Sequence, residues 1–417
     1  MYLRKVHIEN IRSIALLDWE IPAGQEARWH VVIGDNGSGK TTFMRAVALA
    51  LVANDAIALR QNWRNWVCKG NAKGKVELSF ITDPNFDFPL KPGENNIIMV
   101  EFRLAKNGSF SLQLVAPIVP TFSEEGVPVG WFSAAYGPFR RFSGGDQESE
   151  KMFSTNPRLA AHLSIFGEDV ALTECLKWLK DLDYRKAKEQ SEGALLDRII
   201  AFINQEGFLP HQTRLTDISP DGVMFTDGEG RQVPVEELSD GYRSVLSMTF
   251  ELIRQMTAVF KPDQIFSPGD SSKIIASGIV LIDEVDAHLH PTWQRRIGLW
   301  FREHFPNIQF IVTTHSPLVC QAAEHGTVFR LPAPGSEDQA GMVTGIALKR
   351  LLYGDVIEAY GTQLFGNDIG RSDTGHKMLE RLAELNIKEI NKGLTKNEMK
   401  EQEELRAAMP TAPYRLP

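Results

Sequence analysis

The stretch Gly34-Asp35-Asn36-Gly37-Ser38-Gly39-Lys40-Thr41-Thr42 constrains this chain more than any other. The apolar run Trp29-His30-Val31-Val32-Ile33 leads into it and Phe43 to Leu51 follows with helical character, so the order reads strand, glycine loop, helix. Three glycines let backbone N–H groups wrap an anion, and the N-terminus of the following helix aims its dipole at the same place. That is the setting of a phosphate-binding loop. In such a loop Asn36, Gly37, Ser38 and Gly39 line the phosphates, Lys40 reaches the β- and γ-phosphates, and Thr41 offers its hydroxyl to Mg²⁺. Thr42 adds a second phosphate contact.

With 417 residues the chain has room for two or three average domains, or for one large α/β unit carrying an insertion. Hydrophobic content of 43% and charged content of 24% are ordinary for a globular protein with a sizeable core. No apolar run approaches the roughly 18 residues of a membrane-spanning helix, and Met1 to His7 lacks the apolar core of a signal peptide, so a cytoplasmic protein is expected. Cys68, Cys175 and Cys320 are odd in number and far apart, which argues against a disulfide framework or a zinc site. The net charge of −8, from 45 basic and 53 acidic residues, provides no global field for nucleic acid.

A local patch is the remaining route to such a partner. Between Ala56 and Val76 lie Arg60, Arg64, Lys69, Lys73 and Lys75, with no acidic residue, and with Trp63 and Trp66 among them. Cations neutralise phosphates and aromatic rings stack on bases, so the stretch reads either as a nucleic-acid contact or as a solvated loop whose tryptophans cap the core.

Tyr2 to Glu9 and Ile14 to Trp19 read as a strand pair joined by Asn10-Ile11-Arg12-Ser13, and Lys75 to Ile81, Asn96 to Leu104 and Ser109 to Val115 as antiparallel strands with a turn at Asn107-Gly108. Glu148 to Gln205 is helical in pattern, a lid or docking surface too short for a long heptad arm. Gly222 to Thr226 and Arg231 to Val233 make a hairpin, a helix is expected from Tyr242 to Phe260, and Lys261 to Ser272 is expected as a loop. Near the end, Thr395-Lys396-Asn397-Glu398 forms a capping box with Leu394 and Met399 as its staple, which predicts a short helical hairpin, and 410–417 reads as a loose tail.

Ile279-Val280-Leu281-Ile282 and Ile308-Gln309-Phe310-Ile311-Val312 have the continuous apolar character of buried parallel strands. The first ends in Asp283 and Glu284, whose adjacent carboxylates suit two jobs: Asp283 on Mg²⁺, and Glu284 orienting and deprotonating an attacking water. His315 ends the second strand, at the sheet edge where open α/β folds bind ligands, and is placed to sense a γ-phosphate. Ser239, Asp240 and Gly241 open a helix and offer a hydroxyl, N–H groups and a positive dipole end to an anion. Since the chain already has one phosphate loop, this second anion site fits the nucleotide of another copy of the chain.

Taken together, these residues resemble the ABC-type ATPases of the RecF/SMC/OLD group. Gly34–Thr42 is similar to Walker A, Leu238–Arg243 to the ABC signature, Ile279–Glu284 to Walker B, Ala287–Pro291 to the D-loop region and His315 to the switch histidine. The resemblance implies an α/β P-loop ABC ATPase head with a mixed or parallel central sheet, an antiparallel β lobe and a helical insert. It implies lobe I over 1–141, the insert over 142–210, lobe II over 211–345 and a C-terminal helical segment over 346–417. It further implies ATP and Mg²⁺ as cofactors, a head-to-tail homodimer in which Ser239, Asp240 and Gly241 act in trans, and Arg12 near the phosphates. The Q-loop glutamine of the family is replaced at its usual place by Tyr136-Gly137-Pro138-Phe139-Arg140-Arg141, with Gln147 more distant, so coupling is expected to run through the arginines.

A narrower likeness rests on that hexapeptide, Asp286–Pro291, Thr314-His315-Ser316-Pro317, and Leu364-Phe365-Gly366 with Arg371-Ser372. These look like the compact ATPases of Septu (PtuA-like) and retron-linked anti-phage systems. That likeness implies a sensor acting with a separate HNH nuclease, since this sequence has no Toprim or HNH cluster of its own; a RecF-like DNA-repair ATPase without an effector is the alternative.

Overall fold

A computed structural model of the chain describes residues 1–52, 55, 59, 61–83, 97–105, 109–114, 132–140, 142, 156–167, 174–188, 193–360, 364–365 and 372–408. Arg60, Asn107-Gly108, Arg141, Gln147, Gly366, Arg371 and the 410–417 tail lie outside them. The chain divides into residues 1–356 and 357–417, which places 346–356 with the larger unit.

The N-terminal strands are β1 (Tyr2–Ile11) and β2 (Ile14–Glu20), followed by β3 (Trp29–Ile33) and helix α1 (Lys40–Val52). Alternation buries Leu3, Val6, Ile8 and Ile11 of β1 on one face, and the extra residue between Leu3 and Val6 is absorbed as a register shift against β4 (Lys73–Ile81). β5 (Ile97–Leu104) and β6 (Phe110–Leu114) complete an antiparallel sheet of order β2-β1-β4-β5-β6.

After β7 (Ser133–Tyr136) come α2 (Pro157–Phe166), α3 (Glu174–Ala187) and α4 (Gly193–Ile203). A meander of β8 (Arg214–Ser219), β9 (Gly222–Thr226) and β10 (Gln232–Pro234) leads into α5 (Asp240–Thr257). The segment expected as a loop from Lys261 instead forms a helical turn at Pro262–Ile265 and the short hairpin β11 (Phe266–Ser267) and β12 (Asp270–Ile274). Gly269, at φ 76°, makes that reversal possible, and buried Ile265, Phe266 and Ile274 give it an apolar underside that Pro-Asp-Ser composition conceals.

β13 (Gly278–Ile282), α6 (Pro291–His304), β14 (Ile308–Thr313), β15 (Thr327–Arg330), β16 (Gly341–Met342) and α7 (Gly345–Tyr353) follow. The central sheet has the order β16-β15-β3-β14-β13-β7, parallel throughout except for the antiparallel edge strand β16. The mixed central sheet, antiparallel lobe and flanking helices are the expected fold class.

Helix α1 is apolar on nearly every side, Ala46 to Val52 being buried throughout, and an all-round apolar helix must be covered on all sides. It shares one core with the antiparallel sheet, with α2 and with Ile279, Leu281 and Ile311 of the central sheet. A buried amide ties the sheets together: Gln309 of β14 accepts from Leu3 N at 2.7 Å and donates to Leu3 O at 2.9 Å. In the smaller unit, α8 (Asp373–Lys392) and α9 (Lys396–Ala408) form the expected hairpin around Leu382, Leu385 and Leu405. The capping box is present, Glu398 Oε2 accepting from Thr395 N at 2.9 Å. Its staple is not: Leu394 packs on that core, whereas Met399 is 54% exposed.

Candidate nucleotide site at the carboxyl edge of the central sheet

Register decides which loops meet. Tyr136 lies beside Ile282, Ile282 beside Val312, and Thr313 beside Val32, all in parallel pairs. Four strands therefore end at one edge, bringing the loop after Ile33, the Gly137–Arg140 turn, Asp283–Asp286 and Thr314–Ser316 together.

The glycine loop has the conformation its sequence demands. Gly37 (φ 79°) and Gly39 (φ 98°) occupy the left-handed region, and Ser38 N donates to Asp35 O at 3.1 Å. Lys40 Nζ folds back over the loop, donating to Gly34 O at 2.8 Å and Asp35 O at 3.1 Å. Burial lowers its pKa, while the carboxylates of Asp283, Glu284, Asp35 and Asp286 oppose that shift. With no acidic residue in its first turn, α1 leaves its positive dipole end open to an anion. Thr41 and Thr42, both partly buried, stand in that same first turn.

Asp283 is 0% exposed; its Oδ1 accepts from the Thr313 hydroxyl at 2.5 Å, whereas Oδ2 is buried with no partner among the described residues. An orphaned buried carboxylate oxygen is costly and suits a hard cation. Glu284, half-buried, has φ 48°, and its N–H donates to Thr313 Oγ1 at 2.7 Å. A non-glycine residue in that region is held there by its surroundings at a cost of about 1–3 kcal/mol. Thr314 donates to Asp286 Oδ1 at 2.5 Å, and His315, half-buried, follows it at the same edge.

Arg140 is 5% exposed and spans three segments. Nη1 donates to Gly137 O at 2.8 Å and Asp283 O at 2.9 Å, Nη2 to Glu284 O at 3.0 Å, and Nε to Ser244 Oγ at 3.0 Å. Burial lowers its pKa to about 10 against the supporting charges of Asp283, Asp286 and Glu284. Gly137 is required by close approach, because a Cβ there would sit 2.3 Å from Ser164 O of α2.

Ser239 caps α5 without a side-chain hydrogen bond and is exposed, as is Asp240, which pairs with Arg243. Gly241 faces its own chain: a Cβ there would lie 2.9 Å from His288 O. Arg12, at φ 49°, sits in the β1–β2 turn with its guanidinium 4.5 Å from the Trp66 ring centroid, and its neighbour Ser13 reaches the glycine loop, since a Cβ on Gly39 would meet Ser13 Oγ at 3.0 Å.

The basic stretch divides. Arg64, Lys69 and Lys73 are exposed and Lys75 pairs with Glu77 at 2.7 Å. Trp66 is 0% exposed, belongs to the core and stacks on Phe102, while the partly buried Trp63 stacks on Phe110 and packs against that core. The tryptophans thus follow the core-capping alternative, because the antiparallel sheet offers them an aromatic face that water does not.

A family model described as an AAA domain matches residues 5–219, just over half of the 417. The chain belongs to the AAA-domain family. A second AAA-domain model, described as a putative AbiEii toxin of a type IV TA system, matches residues 164–321. The Septu protein PtuA of Bacillus mycoides (strain KBAB4) is 26% identical over 78% of this chain and 40% of its own length. The Retron Ec83 probable ATPase of Escherichia coli is 36% identical over 26% of this chain and 19% of its own. The chain thus spans at most 40% of the length of these curated relatives. Among solved structures, an SmcHead bound to the C-winged helix domain of ScpA covers 82% of this chain and 98% of its own at 16% identity, with a TM-score of 0.49.

In this AAA-domain chain Asp286 and Thr314 are legible only as members of motifs, with no role of their own, and Thr313 and Ser244 do not stand out in the sequence at all. The role of Ser244 depends on an arginine 104 positions away.

Proposed function

We propose that the chain binds and hydrolyses ATP as a head-to-tail homodimer, two ATPs lying between the glycine loop of one copy and the Ser239-Asp240-Gly241 helix start of the other. The single observation that carries this reading is the convergence of Lys40, Asp283, Glu284 and His315 on one sheet edge, with a cation-seeking oxygen on Asp283. Thr41 and Asp283 would hold Mg²⁺, which when bound neutralises charge on the phosphate oxygens. Lys40 exchanges its carbonyl partners for phosphate oxygens, Glu284 takes the proton of the attacking water, and His315 contacts the γ-phosphate. Arg12 lies by the phosphates through the Ser13 contact with the loop.

The likeness to PtuA and the retron ATPase supports a place in anti-phage defence, with nucleotide state governing a separate partner nuclease of HNH type. Acting on DNA alone, in the manner of RecF, is the second reading, and Arg64, Lys69 and Lys73 are the exposed cations it would use. Replacing Glu284 by Gln tests the core of the proposal. ATP binding is expected to persist while hydrolysis falls by about 10²–10⁴, the range for loss of a general base; turnover at the wild-type rate would remove Glu284 from the mechanism.

A further inference from the structure

Arg140 joins the site to the start of α5 through one side chain. It bonds the main-chain carbonyls of both carboxylate residues, Asp283 and Glu284, and with the same guanidinium holds Ser244 of α5. A guanidinium presents its donors in a rigid planar fork, so three anchored segments keep fixed mutual distances. A second contact braces the same helix, independent of the arginine: Gly241 rests on the carbonyl of His288, in the loop that follows the carboxylates. The start of α5 is thus held at two points against residues 283–288, at Gly241 directly and at Ser244 through Arg140. Within that segment Glu284 keeps a left-handed backbone that only its surroundings maintain.

We infer that Arg140 is a positioning residue that couples Glu284 to the α5 helix start, so that engagement of the exposed Ser239 end of that helix by a second copy's nucleotide sets the backbone of this copy's Glu284. The inference rests on the proposed dimer and adds to it a direction of control: each copy's carboxylate is aligned by the nucleotide its α5 touches in the other. Because Arg140 and Ser244 are both buried, water cannot substitute for the bond between them. Hydrolysis is therefore cooperative, with a Hill coefficient between one and two.

Ser244→Ala tests this with the smallest change, deleting one acceptor and leaving Arg140 its three carbonyls. In the full chain, kcat is expected to fall about tenfold, the size of one lost hydrogen bond to a charged group, and the Hill coefficient to drop to one. The melting temperature falls by a few degrees, as a buried donor without its acceptor requires, while affinity for a fluorescent ATP analogue stays near wild type; the loss of cooperativity at unchanged affinity is what a purely structural role would not produce. Arg140→Lys gives the same pattern, since a single ammonium cannot span the three segments. Wild-type kcat and cooperativity in Ser244→Ala, or a non-cooperative wild type that hydrolyses ATP, would overturn the coupling alone. A wild type that hydrolyses no ATP would overturn the proposed function itself.

Discussion

Thr313 shows how much one hydroxyl can hold. It donates to Asp283 Oδ1 and accepts from Glu284 N, so it fixes the first carboxylate's side chain and the second's backbone at once. Thr313→Val keeps the shape and removes both bonds, leaving a buried oxygen and a buried N–H unpaired. We expect a loss of about 2–4 kcal/mol in unfolding free energy and at least a tenfold drop in ATP turnover, read by denaturant titration and steady-state hydrolysis. His30 makes a prediction about pH. Its Nε2 donates to Glu26 O at 3.2 Å and its Nδ1 pairs with Thr327 Oγ1 at 2.9 Å, so the buried ring is held neutral, and burial lowers its pKa from 6.5 to about 4. The unfolded chain therefore binds more protons between those values. Stability from this group is complete above pH 6.5 and is lost as pH falls toward 4, an effect on the order of 3 kcal/mol. Unfolding titrations at pH 7 and pH 4.5 should show the decline, and His30→Asn should reduce it, the remainder including the equally buried His162, whose pKa is also lowered to about 4.

At the scale of elements, α1 and β14 do the organising. Helix α1 separates the two sheets, and its apolar perimeter is legible in the run Ala46-Val47-Ala48-Leu49-Ala50-Leu51-Val52. The tie between β14 and β1 is not legible, because Gln309 stands alone in an apolar strand and its partner Leu3 lies 306 positions away. Gln309→Leu fits a 0% exposed site by volume but strands the N–H and carbonyl of Leu3. The expected cost is about 3 kcal/mol, measured as a lower denaturant midpoint with an unchanged slope. Alternation and helical spacing placed most strands and helices correctly. The turn at Pro262–Ile265 and the β11–β12 hairpin escaped because elements of four, two and five residues are too short for a period to register.

For the whole molecule, the proposed dimer makes the sharpest demand. Ser239 is exposed at the start of an 18-residue helix and makes no capping bond of its own, which leaves its hydroxyl and the helix dipole for a ligand from outside the chain. Ser239→Arg should leave ATP binding by the single chain within about twofold of wild type. It should abolish ATP-driven association, measured by sedimentation in a Glu284→Gln background that retains nucleotide. Association that survives the added charge would place the dimer contact elsewhere.

The sequence by itself determined the glycine loop, the two carboxylates, the histidine, the helix start at Ser239 and the buried strands that carry them, because each is a local pattern whose chemistry lies within a few residues. Only the tertiary structure decided which of these meet, through the parallel register of β7, β13, β14 and β3. It also decided what the in-between residues do: Trp66 went to the core because Phe102 offered it a face, and Arg140 became the link between Glu284 and α5. Such assignments depend on partners distant in the chain, and a one-dimensional pattern carries no record of distance in space.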